Sequence, residues 1–165
     1  MQIVPWGYLV LLAGVAGCAL AIVREARHRP MRPTLLLVAP LLALAIAAVV
    51  VLSGPAEMRR LAFWGMSFAV AAMAGAVRGF VVRLQVDQMW LLICLPHSRD
   101  ALWIVIALAL LVIGIIVTAV AGAPATAYRP LLAMALIFCA GLLVGRNWAL
   151  AMRIRRAPHV ELRRL

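Results

Sequence analysis

Residues 101–121 read ALWIVIALALLVIGIIVTAVA, a run of apolar side chains that contains no ionisable group. A bilayer hydrocarbon core about 30 Å thick is crossed by about 20 such residues in a helix. Lipid cannot satisfy backbone N–H and C=O groups, so a spanning segment must be helical or part of a closed β-barrel. The run lacks the two-residue alternation of a barrel strand. It therefore predicts a transmembrane helix.

Four further stretches have the same character: residues 4–23, 34–52, 61–77 and 131–150. The last contains one ionisable side chain, Arg146, which lies near the end of the stretch and is expected to snorkel to the headgroups. Of the 165 residues, 67% are apolar and 13% charged, which excludes an ordinary soluble domain. The sequence predicts one all-α integral-membrane domain over residues 1–165, with five transmembrane helices and a basic C-terminal tail at 151–165.

The basic residues are distributed unevenly among the segments between the spans. All 16 are arginines, against 5 acidic residues. Thirteen of them fall at residues 24–33, at 78–99 and from 146 onward, regions that five spans place on one side. Arginine-rich loops stay in the cytoplasm, so the N-terminus is predicted outside and the C-terminus inside. The same arginines should attract anionic lipid headgroups. Topology explains this charge, and we expect no nucleic-acid partner.

The segment 79–96 is too polar to be a sixth span. Residues 82–87 (Val-Arg-Leu-Gln-Val-Asp) alternate apolar and polar side chains, which predicts a strand with one covered face. We expect a short cytoplasmic β-hairpin; an interfacial helix is the alternative, which the β-branched residues disfavour. A functional cluster on this face would consist of Arg78, Arg83 and Asp87. The competing interpretation is a salt-bridge group that anchors the hairpin.

The run Gly75-Ala-Val-Arg78-Gly79, followed by Arg83 and Val86-Asp87, resembles a group of small bacterial multi-pass membrane proteins of unknown function that includes the CcdC-like proteins. The arginine-rich first loop and Pro40 in the second span are also similar. The resemblance implies a four- or five-helix bundle with a cytoplasmic strand pair, and it brings no catalytic residue. We expect a location in the bacterial inner (plasma) membrane.

Small residues in the fifth span indicate close helix packing. Gly141-Leu-Leu-Val-Gly145 is a GxxxG motif, which lets another helix approach its backbone. Packing within the bundle is favoured over homodimerisation. In the first span, Cys18 follows Val15-Ala-Gly17 as in a lipobox, but no basic residue precedes the apolar run. A first transmembrane helix is therefore preferred to a signal peptide.

The residues that commonly carry chemistry show no organised spacing. The three histidines and three cysteines form no ligand pattern and no Cys-x-x-Cys pair, so we expect no metal site, no haem and no other cofactor. The sequence favours a non-enzymatic partner or accessory protein that binds a membrane protein or a second copy of itself. An oligomeric small-molecule transporter or channel is the first alternative. A membrane enzyme or redox factor that uses Cys94 or His97 is the second.

Overall fold

The computed structural model describes residues 6–26, 31–53, 61–82, 84–87, 92–95, 100–121, 128–155 and 157. Over these ranges the chain forms helices α1 (Trp6–Ala26), α2 (Leu35–Leu52), α3 (Leu61–Val81), α4 (Asp100–Ala121) and α5 (Arg129–Ile154), and strands β1 (Gln85–Asp87) and β2 (Leu92–Cys94). All five helices are long and apolar enough to cross a membrane. The predicted five helices, with an antiparallel hairpin between the third and fourth, are confirmed.

Three helices continue beyond the predicted spans. Helix α1 ends at Ala26, α3 at Val81 and α5 at Ile154, each about one turn later than predicted. The predictions for α1 and α3 stopped where charged residues begin, at Arg24 and Arg78, but a helix can continue through charged residues. The hairpin consequently begins later than the predicted residue 79, since residues 79–81 are helical.

Helix α5 lies at the centre of the bundle. It packs on α2, α3 and α4, while α1 packs on α2 and α4. The buried share of α5 is the largest of the five helices. Its glycines and alanines allow this, because small side chains let several helices approach one axis.

A third segment of the chain, at Met31, joins the hairpin to the bundle. Within the hairpin, Val86 of β1 pairs with Ile93 of β2. On the other side of β2, the Met31 N–H donates to the Ile93 carbonyl at 3.0 Å, and the Ile93 N–H donates to the Met31 carbonyl at 2.9 Å. These strands share a small apolar core with the start of α2 and the end of α5. We call this side of the molecule, where α1, α3 and α5 finish, the hairpin end.

The simple alternation predicted for β1 is wrong at one residue. Val86 and Asp87 are consecutive in the strand, and both are buried. Consecutive strand residues point to opposite faces, so both faces of β1 are covered at this point. Residues 88–91 and Arg83 lie outside the described residues.

Candidate functional site

Three of the buried polar side chains lie together where α1, α2 and α5 meet at the hairpin end. They are Glu25, Arg146 and Asn147. The Arg146 side chain is 0% exposed and that of Glu25 is 5% exposed. The expectation that Arg146 snorkels to the headgroups is therefore wrong. Helix α1 runs past the predicted span and carries Glu25 to a position where it meets the guanidinium, so the charge is paired inside the protein.

Pro40 leaves one backbone carbonyl of α2 without its usual hydrogen-bond donor, and this group of side chains supplies one. A proline has no N–H, so in α2 the carbonyl of Leu36, four residues earlier, lacks its usual helical donor. Leu36 and Pro40 are both buried. The Asn147 side-chain amide donates to the Leu36 carbonyl with an Nδ2–O distance of 2.6 Å. Asn147 thus replaces the hydrogen bond that Pro40 removes.

Arg146 extends this contact to α1. Its Nη1 donates to Oδ1 of Asn147 at 3.0 Å, and its Nη2 donates to Oε1 of Glu25 at 2.5 Å. A continuous chain of hydrogen bonds runs from α2 through α5 to α1. We call Glu25, Arg146, Asn147 and the Leu36 carbonyl the polar clasp. Removing one partner of a buried ion pair strands the other charge in a low dielectric, so the members depend on one another.

Glycine contacts fix the part of α5 that carries the clasp. A Cβ at Gly141 would lie 2.7 Å from the Phe68 carbonyl oxygen, and one at Gly145 would overlap with the Ala72 carbonyl. From the α3 side, a Cβ at Gly79 would lie 2.5 Å from the Arg146 carbonyl oxygen. Helices α3 and α5 therefore approach backbone to backbone, and Gly141 and Gly145 lie in this contact.

Of the predicted cytoplasmic cluster, the structure describes Arg78 and Asp87, which lie in different elements. Arg78 forms a bidentate pair with Asp100, with Nε–Oδ2 and Nη2–Oδ1 distances of 2.9 and 3.0 Å. This pair joins the end of α3 to the start of α4. Asp87 is buried in β1, and Arg83 lies outside the described residues, so the predicted grouping stays a prediction.

A second arginine, Arg153 of α5, binds backbone carbonyls at the end of α3. Nη1 of Arg153 donates to the carbonyls of Gly79 and Val82, at 2.9 and 2.5 Å. The last carbonyls of a helix lack intrahelical donors, so the guanidinium satisfies groups that would otherwise need water. No pattern in the sequence predicted this contact.

The residues considered for redox or metal chemistry are buried or outside the described ranges. All three cysteines are buried thiols. Burial raises the pKa of the Cys94 thiol, which lowers its reactive thiolate fraction at neutral pH. The three histidines, His28, His97 and His159, lie outside the described residues. Within the part of the chain that the structure describes, no group of three or more His, Cys, Asp or Glu side chains could hold a metal ion.

Comparison with known proteins assigns no role to these residues. No protein-family model, curated protein or solved structure matches the chain. The resemblance to the CcdC-like group therefore stays a prediction.

Proposed function

We propose that the protein is a non-catalytic, multi-pass protein of the bacterial inner membrane that serves as a partner or accessory subunit of another membrane protein. The observation that supports this most is the surface of α3. Among the described helices, α3 packs extensively on α5 alone, so most of its circumference faces away from the bundle. Its buried share is as small as that of α1 and smaller than those of α2, α4 and α5.

The exposed side of α3 carries large apolar residues at regular spacing. They are Phe63, Met66, Val70, Met73 and Val77, each more than half exposed, and we call them the α3 outer face. Alternating spacings of three and four residues form the seam along which two helices pack knobs into holes. Methionine side chains adapt readily to a partner surface. This face therefore suits contact with another transmembrane helix.

The polar clasp supports a structural role for the interior. Its three hydrogen bonds tie three helices together at positions with little exposure. Such a network stabilises a fixed bundle, which can then present its outer faces to a partner. We infer that the interior maintains the shape of the molecule and that the α3 outer face carries the interaction.

Photo-crosslinking inside the native membrane tests the proposal. A photoreactive amino acid at Val70 or Met73 should give an adduct of defined mass with another protein, and a mass of two chains would identify a second copy. Leu41 on α2 and Leu110 on α4 are matched controls, because both are equally exposed apolar positions on other helices. Protein adducts that are absent at all four positions, or equally strong at all four, would contradict the proposal.

We propose that the N-terminus is outside and the C-terminus in the cytoplasm, as the arginine distribution indicates. A fluorescent protein that folds only in the cytoplasm should then fluoresce when fused after Leu165. Alkaline phosphatase at the same position should be inactive, because it needs the outside compartment. The reverse pattern would contradict this orientation.

A transporter is the second candidate, because ionisable residues inside a membrane bundle often mark ion or proton paths. Helices interrupted by a proline also expose carbonyls that bind ions in some transporters, as Leu36 would without Asn147. In liposomes that contain the purified protein and a pH-sensitive dye, this candidate predicts a proton flux that Glu25→Gln abolishes while the helical content is kept. The partner proposal predicts no flux from either protein.

A further inference from the structure

A groove of about 480 Å³ lies between the ends of α3 and α5 at the hairpin end. It is lined by Phe80, Trp148, Ala151, Met152, Arg153 and Arg155. Phe80 and Trp148 are both more than half exposed. Aromatic side chains are enriched at the boundary between the hydrocarbon and the headgroups. Arg153 and Arg155, which follow Trp148 in the chain, indicate that the groove lies at this boundary.

The groove has an apolar part and a cationic part. Phe80, Trp148, Ala151 and Met152 provide apolar walls, and the two arginines lie at its charged edge. Among the described residues that line it there is no carboxylate. Elsewhere at the hairpin end, Asp100 pairs with Arg78 and Glu25 with Arg146. The groove therefore combines a positive charge with a surface for a hydrocarbon chain.

One of the two guanidinium groups is held in place before any ligand arrives. Arg153 donates to the Gly79 and Val82 carbonyls through Nη1, at 2.9 and 2.5 Å. A guanidinium has five N–H donors, and these two bonds use only the nitrogen that faces the end of α3. Guanidinium groups bind phosphate oxygens in bidentate geometry, so a fixed Arg153 beside Arg155 suits a phosphate monoanion.

We propose that this groove binds one anionic phospholipid of the surrounding leaflet, with its phosphate at Arg153 and Arg155 and an acyl chain along Phe80 and Trp148. Basic pockets between transmembrane helices recognise anionic headgroups in this way. The site depends on neither the α3 outer face nor the orientation of the chain.

Native mass spectrometry of the full chain in mild detergent tests the site. The protein is titrated with phosphatidylglycerol and with phosphatidylethanolamine of the same acyl chains. We expect one phosphatidylglycerol to be retained in preference to phosphatidylethanolamine. Arg153→Gln with Arg155→Gln should weaken its binding roughly thirty-fold, since each arginine near an anionic lipid contributes a factor of about five.

The matched control removes two exposed arginines from the same end of the molecule. Arg24→Gln with Arg32→Gln takes away the same charge outside the groove and should leave binding close to that of the unaltered protein. Equal losses in both double variants would overturn the proposal in favour of diffuse attraction. Equal retention of the two lipids would also overturn it, as would displacement of the lipid by millimolar inorganic phosphate.

A further variant separates lipid binding from the stability of α3. Arg155→Gln with Trp148→Ala leaves Arg153 bonded to the carbonyls of α3, so the fold should be kept. It should still lower the preference for phosphatidylglycerol about five-fold through the loss of Arg155. An unchanged preference in this folded variant would overturn the proposed position of the lipid.

Discussion

At the residue scale, the main result is that a proline, an asparagine and an ion pair form one unit. In the sequence, Pro40 is noticed only as part of the resemblance to a family, and Arg146 is predicted to lie at the membrane interface. A proline in an apolar span signals one carbonyl without a donor, but it does not tell which distant side chain supplies one. Asn147, 111 positions away from Leu36, is found only once α2 and α5 are placed together. Long-range polar pairing of this kind cannot be predicted from local pattern.

The role of Asn147 leads to a prediction with an internal control. Asn147→Leu should destabilise the folded protein by about 1–2 kcal/mol, because the buried Leu36 carbonyl loses its donor. In a Pro40→Ala background, the backbone N–H restored at position 40 can donate to the same carbonyl. Asn147→Leu should then cost about 1 kcal/mol less. Unfolding free energies of the four proteins in mild detergent measure the difference.

The two substitutions should therefore be coupled rather than additive. Asn147 also accepts a bond from Arg146, so the rescue by Pro40→Ala is expected to be partial. Equal costs of Asn147→Leu in both backgrounds would contradict the compensation of Pro40 by Asn147.

Cys94 gives a second prediction at this scale. Its thiol is buried and its pKa is raised by burial, so little thiolate is present at neutral pH. In a Cys18→Ala/Cys139→Ala variant, we expect slow alkylation of Cys94 at pH 7. The rate should rise with pH and level off only above the raised pKa, which lies above the value of about 8.5 for an ordinary thiol.

Denaturant is the control for this measurement, because unfolding should expose Cys94 and make alkylation fast. Fast alkylation of the folded protein at neutral pH would contradict the burial of the thiol. It would also favour the interpretation of the protein as a redox factor that uses Cys94.

At the element scale, the contact between α3 and α5 depends on residues with no side chain. The GxxxG motif predicted close packing but not which helix approaches it, and in the structure that helix is α3, whose Gly75 and Gly79 lie against α5. Gly145→Ala should destabilise the protein by about 3 kcal/mol, because the new Cβ would overlap with the Ala72 carbonyl and backbone cannot move aside cheaply. Thermal unfolding in detergent measures the loss.

Gly65→Ala is the matched control for this substitution. Gly65 lies in α3, and a Cβ built on it would meet no atom within 4 Å. Alanine is the better helix former, so this change should be neutral or slightly stabilising. Similar melting temperatures for the two variants would contradict the backbone contact between α3 and α5.

The helices and the hairpin were largely predictable. For the helices, the reason is that the membrane lipid acts as their solvent. In lipid, long apolar runs must become helices, so their number and approximate positions follow from composition. The hairpin was predictable from the alternation before Asp87. The pairing of the hairpin with Met31 was not predictable, because Met31 lies in a distant loop whose sequence shows no strand pattern.

At the scale of the whole molecule, the bundle is organised around α5. Glycines join it to α3, Asn147 joins it to α2, and Arg146 joins it to α1. A bundle whose buried Glu25–Arg146 pair holds helices together should be rigid inside and should act through its surfaces. The proposed contacts with a partner and with a lipid are both of this kind.

A rigid interior requires that the polar clasp be structural, and the most direct test compares Glu25→Leu, Arg146→Met and the double variant by equilibrium unfolding in mild detergent. Each single change leaves one charge buried without its partner and should cost about 3–5 kcal/mol. The double variant removes both charges, so its stability should return to within about 1–2 kcal/mol of the unaltered protein. A double variant as unstable as the singles, or single variants with no loss, would contradict a structural clasp.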